Sequence, residues 1–159
     1  MSLDITVIVA NKNHFNNFEY FAHALGLAVE LSGEVPFQKV NNSWKDGFVD
    51  VVFSPQGTLV CVPSGEYNIA AASKASQVAL LALSQNSTIF NLECAENGSI
   101  KRIYTDFNGV IRRNVKRPLQ WENEAQDYTQ ILQDCVRTFT GKALHEYHNQ
   151  TAIRYGIIK

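Results

Sequence analysis

Apolar and polar residues alternate between Ser87 and Val115, and two Asn-Gly pairs, Asn97-Gly98 and Asn108-Gly109, cut the alternation into three runs. Asn-Gly between β-favouring runs is the strongest short-range hairpin signal, so the pattern predicts three consecutive antiparallel strands over residues 88–115. With Asn97 and Gly98 at the centre of a two-residue loop, simple counting sets Glu93 opposite Arg102, Leu92 opposite Ile103 and Phe90 opposite Thr105. Phe90, Leu92, Ile103 and Phe107 then form a core face, and Asn91, Glu93, Arg102 and Tyr104 a solvent face. Glu93–Arg102 becomes an exposed cross-strand pair worth a fraction of ~1 kcal/mol. At the second turn, a tight loop would turn Arg112 and Asn114 to the core, whereas a three-residue loop with Gly109 in a left-handed bulge turns Ile111 and Val115 there. The second arrangement is expected, with Arg112 stacked opposite Tyr104.

Other segments follow by the same logic. Ile5–Ala10 is a short unbroken apolar run rich in β-branched residues, which predicts a central strand buried on both faces. Phe18, Phe21, Ala22 and Leu25 recur at helical spacing and Gly26 follows as a C-cap. Leu27–Leu31 predicts a brief strand, and Ser32–Pro36 a loop. Phe37–Trp44, Phe48–Phe53 and Thr58–Val62, separated by Lys45-Asp46-Gly47 and Ser54-Pro55-Gln56-Gly57, predict a second meander. Ile69–Leu83, with six alanines, reads as the best helix in the chain. Gln120–Phe139 reads as an amphipathic helix with Tyr128, Ile131, Leu132, Cys135, Val136 and Phe139 on one stripe. The acids Glu122, Glu124 and Asp127 crowd its positive end. Lys142–His148 predicts a short further helix, and Tyr155–Lys159 a tail that docks.

Together these elements predict an α+β fold, a two-layer sandwich whose mainly antiparallel sheet is built from two three-stranded meanders with about three helices packed on one face. A chain of 159 residues has the length of a single domain able to bury a real core. The order strand, helix, three strands, helix, three strands, helix resembles that of small bacterial specificity proteins, among them secretion chaperones and toxin-immunity proteins. The resemblance lies in element order and implies action by binding another protein, without carrying over any site residue.

Composition narrows the compartment. The charged fraction is 18%, net charge is −1, and neither a basic leader nor an apolar run of about 20 residues is visible. A soluble, cytoplasmic protein without membrane association is expected. Cys61, Cys94 and Cys135 are odd in number and widely spaced, which suits buried reduced thiols better than disulfides or zinc. The sequons at Asn41, Asn86, Asn97 and Asn149 have no secretory context to use them.

Candidate chemistry is sparse. His145 and His148 stand three residues apart, but two imidazoles are not a metal site, and neither His14 nor His23 lies at a spacing that completes one. Ser64, Ser73, Ser76 and Ser84 lack a nucleophile elbow, and no cysteine has a helper beside it. Asp46, Asp50, Glu93 and Asp106 are isolated carboxylates of strands and turns. No phosphate-binding glycine motif is present. No catalytic residue, metal or cofactor is therefore assigned, and the expected function is protein binding, with a small-molecule-binding enzyme as the alternative.

One charge asymmetry stands out. Six of the fourteen basic residues, Lys101, Arg102, Arg112, Arg113, Lys116 and Arg117, fall within positions 101–117 with Asp106 as the accompanying acid. Arg112, Arg113, Lys116, Arg117 and Arg102, with Tyr104, form the expected binding surface for an acidic protein partner. A homodimer is compatible with it, whereas nucleic acid is disfavoured because few stacking aromatics accompany the cations. The plainer alternative is that edge cations deter aggregation.

Overall fold

The computed structural model describes residues 4–37, 47–86, 88–123 and 127–158. Their architecture is α+β, with one nine-stranded antiparallel sheet and four α-helices. The expected strand over Phe37–Trp44, the Asp46 turn and Glu124 lie largely or wholly outside the described residues.

β1 (Asp4–Ala10) occupies the middle of the sheet as its apolar run requires. On one side it pairs with β4 (Thr58–Cys61), then β3 (Phe48–Phe53), β9 (Thr151–Ile157) and the edge strand β2 (Val29–Pro36). On the other side lie β5 (Gln77–Ser84), β6 (Ile89–Glu96), β7 (Ser99–Phe107) and the second edge, β8 (Val110–Val115). Alternation along the central strands sends side chains into two cores. Val7, Val9, Leu59, Leu81 and Leu92 pack under α4 (Tyr128–Thr140), whose stripe of Leu132, Cys135, Val136 and Phe139 is buried as predicted. Ile8, Val51, Val60 and Leu80 pack on the opposite face under α1 (Phe18–Leu25) and the short α2 (Ile69–Ala72). Helices thus cover both faces, correcting the expected two-layer sandwich with helices on one face, and the sheet is one of nine strands rather than one built from two three-stranded meanders.

Local signals explain the helix ends. Gly26 and Gly141 adopt left-handed conformations and close α1 and α4 through backbone N–H bonds to Ala22 and Arg137 carbonyls, respectively. Asp127 caps α4 by accepting from the Gln130 amide. The predicted helix over Gln120–Phe139 comprises α3 (Gln120–Asn123) and α4, with residues 124–126 between them outside the description. The short helix expected after Gly141 is a 3₁₀ turn at Leu144–Tyr147.

The expected helix over Ile69–Leu83 is the largest correction. Only Ile69–Ala72 is helical, and Gln77–Ser84 is strand β5, paired with β1 over seven residues from Asp4–Ser84 to Ala10–Val78. Alanine favours helix, but a helix through Val78–Leu83 would be apolar on every side, whereas a strand between two covered faces uses such a run completely. The Ser73–Ser76 turn breaks the helix with Ala75 at φ 59°. It then receives the first Asn-Gly loop: Asn97 N–H donates to the Ser76 carbonyl and Gly98 N–H to Ser73 Oγ.

The C-terminal tail is also more than docked, since Thr151–Ile157 inserts as β9 between β2 and β3. Arg154 and Gly156 obscure its strand pattern. Arg154 is accommodated because Asp50, its register partner on β3, accepts from its guanidinium at 2.8 and 3.0 Å. β2 in turn extends through the predicted Ser32–Pro36 loop, bulged between Leu31 and Gly33.

Candidate functional site

Both Asn-Gly pairs form tight two-residue loops with positive φ at each central position, 50° and 86° at the first and 55° and 84° at the second. This is the type I′ signature, and it overturns the expected three-residue second loop. The meander is confirmed, but two bulges alter its register. In β7 the pairing runs Ala95–Ile100 and then Cys94–Arg102, leaving Lys101 as the extra residue. In β8 it runs Asp106–Ile111 and then Thr105–Arg113, leaving Arg112.

The first bulge rotates the rest of β7 by one position. Leu92 therefore faces Tyr104, and Glu93 faces Ile103. Phe90 and Leu92 are buried as predicted, but Ile103 is half-buried on the other face, Phe107 is exposed, and Arg102 and Tyr104 turn toward α3 and α4. Neither Arg102 nor Tyr104 belongs to the exposed partner surface assigned from simple register. The Tyr104 hydroxyl lies 3.0 Å from that of Tyr128, which donates to Asp106. Burial, then the bond to Asp106, pushes the Tyr128 hydroxyl pKa well up and keeps it protonated.

Arg102 is a buried anchor. Its Nε and Nη2 donate to Glu122 on α3 at 3.0–3.1 Å, and its Nη1 donates to Asn114 Oδ1 at 2.7 Å and to the Val115 and Lys116 carbonyls at 3.2 Å each. Glu122 Oε2 also accepts from the Leu119 amide, so the carboxylate ties α3 to the chain leaving β8. Lys116, at φ 70°, takes up the left-handed conformation at which that chain turns. The end of the basic strand is thereby held by one guanidinium. The guanidinium also lies 5.3 Å from the Tyr104 ring, while Arg112 lies over Phe107 rather than Tyr104.

The remaining cations do come together. Among the described strands β8 pairs with β7 alone, and all six of its residues are exposed. Arg112, Arg113, Lys116 and Arg117 are exposed along it and just beyond, and Arg113 reaches Glu93 at 3.2 Å in an open ion pair. Interleaved are Phe107, Val110, Ile111 and Val115, which are 42–54% exposed. The hydrophobic share of this edge is what sequence reasoning missed, because it placed Phe107, Ile111 and Val115 in the core.

The other candidates disperse. Among the described residues, no group of three His, Cys, Asp or Glu is arranged to hold a metal, and His145 Nδ1 sits 3.1 Å from Gln133 Oε1. All three cysteines are buried free thiols. Asp50 pairs with Arg154, Glu93 with Arg113, and Asp106 accepts from Gly109 N–H and Tyr128. No helix among the described residues is long and apolar enough to cross a membrane.

Fold and edge together define an α+β protein with an open, cationic, partly apolar edge strand. Comparison with protein-family models, curated proteins and solved structures returns no match.

Proposed function

We propose that this chain is a soluble, cytoplasmic protein-binding module that captures an acidic partner along β8. The observation that carries the proposal is an edge strand with no second neighbour among the described strands, where exposed Val110, Ile111 and Val115 stand beside Arg112 and Arg113 on the strand and Lys116 and Arg117 just beyond it. Deterring aggregation accounts for the cations and the Arg112 bulge, but not for displaying Val110, Ile111 and Val115 beside them. A partner strand adding to this edge would supply main-chain hydrogen bonds and apolar contact, while the cations select acidic side chains and speed encounter. Arg102 contributes from beneath, by fixing the strand end before a partner arrives.

The element order that resembled secretion chaperones and immunity proteins is altered by β5 and β9, so support for the proposal comes from the edge. β2 is itself an edge strand bearing Glu30 and Glu34, so a second copy of the chain is one acidic partner of the required kind. The test uses an extended peptide of alternating Val and Glu, titrated against the wild type and against Arg113→Glu/Arg117→Glu. Binding localised to β8 amides, weakened by salt and lost in the double variant without loss of thermal stability, is the expected result. Equal binding by both proteins at every ionic strength overturns the proposal. Sedimentation at low and high salt separates self-association from capture of a different protein.

A further inference from the structure

The sheet has a second edge whose charge is the reverse of the first. Among the described strands β2 pairs with β9 alone, and residues 30–34 are exposed along it. Its charged residues are Glu30 and Glu34, and neither makes an ion pair among the described residues. Between them stands Leu31, 65% exposed. Arg154, opposite Gly33 on β9, is engaged by Asp50 at 2.8 Å, so the cation of the neighbouring strand is already neutralised. β8, in contrast, carries Arg112 and Arg113 and no acid.

These charges decide which edges can meet. Two β8 strands side by side bring arginines together, and two β2 strands bring glutamates together, which is unfavourable in both cases. Opposite charges face each other when β2 of one copy lies against β8 of another. Leu31 then joins Val110, Ile111 and Val115 in covering apolar surface that each edge leaves exposed, and the unpaired main-chain groups of both strands find partners.

We propose that the acidic partner of β8 is β2 of a second copy of this chain, an inference that rests on the reading of β8 as a capture strand. The contact is heterologous, because a copy that offers β8 keeps its own β2 free, so assembly continues head to tail beyond two copies. Eight antiparallel steps separate β2 from β8, and the two edges therefore run in the same direction. Antiparallel pairing between copies thus turns each one over relative to the last. The bulge after Leu31 and Pro36 at the end of β2 keep the paired stretch short. A contact of one strand on each side belongs to the small, transient class, so association is expected over roughly 10–1,000 µM.

Sedimentation velocity of the full chain across that range, at about 20 mM and about 500 mM salt, tests the proposal. At low salt the average mass of the wild type should rise past that of a dimer with concentration, and high salt should return it toward monomer. In ¹⁵N spectra, dilution should move β2 and β8 amides together. Glu30→Lys/Glu34→Lys makes both edges basic and Arg112→Glu/Arg113→Glu makes both acidic, so each variant alone should stay monomeric, and an equimolar mixture should associate again. Both should keep the wild-type unfolding midpoint, because the reversed side chains are exposed. A wild type that is monomeric at about 1 mM in low salt, association that stops at a dimer, or association untouched by Glu30→Lys/Glu34→Lys each overturns the proposal. The dilution series of the wild type decides the matter even if a variant does not fold. The reading of β8 stands or falls separately, on whether that strand binds the peptide of alternating Val and Glu.

Discussion

Replacing Arg102 with Met tests the bulged register and the anchoring of β8 in one measurement. Arg102 and Glu122 have side chains 2% and 9% exposed, so the substitution strips the counter-charge from a carboxylate shielded from water. Three acceptors, Asn114 Oδ1 and the Val115 and Lys116 carbonyls, lose the same guanidinium, while Glu122 keeps the Leu119 amide. Breaking a buried pair from one side costs about 3–5 kcal/mol. For a chain of this size that corresponds to a fall of roughly 6–20 °C in Tm. Urea unfolding followed by circular dichroism gives the free energy, and the same series should include Arg102→Met/Glu122→Leu. The double variant should lose much less than Arg102→Met alone, since well-packed apolar residues often replace a buried ion pair without net cost. A loss below about 1 kcal/mol for Arg102→Met would refute the reasoning, because that is the range of an exposed cross-strand pair such as the Glu93–Arg102 contact implied by simple register.

Gly57→Ala should destabilise by about 1–3 kcal/mol or more in the same assay, because an added Cβ would press on the carbonyl oxygens of Ala10 and Phe139 where β4 meets the end of α4. A variant within about 0.5 kcal/mol of wild type would show that this junction yields freely. Native protein at pH 8 should leave Cys61, Cys94 and Cys135 unlabelled by iodoacetamide, whereas urea-unfolded protein reacts at all three. Burial raises each thiol, with Cys94 pushed to about 11, so the reactive thiolate is suppressed in the fold. Rapid modification of Cys94 in the native state would show that its side of the sheet opens.

The chain's local chemistry determines much of this molecule. Asn-Gly at 97–98 and 108–109 specifies two type I′ turns because those residues tolerate the left-handed backbone such turns need. The unbroken run in β1 marks the sheet centre, and the stripe on α4, with Asp127 before it and Gly141 after it, marks a helix lying on a core. Each is a property of neighbours along the chain. What the tertiary structure alone decided depends on residues far apart in sequence. Gln77–Ser84 is a strand because β1 and β6 offer it partners on both sides, which outweighs the small helix preference of its alanines. Arg154 sits within a sheet because Asp50, 104 positions earlier, neutralises it there. Lys101 is bulged out of register while Arg102 turns inward to Glu122, an acceptor on a helix that sequence alternation cannot see. Strand period specifies that neighbouring side chains point in opposite directions, but which direction is inward changes with every bulge, and a one-residue slip exchanges a surface arginine for a buried one.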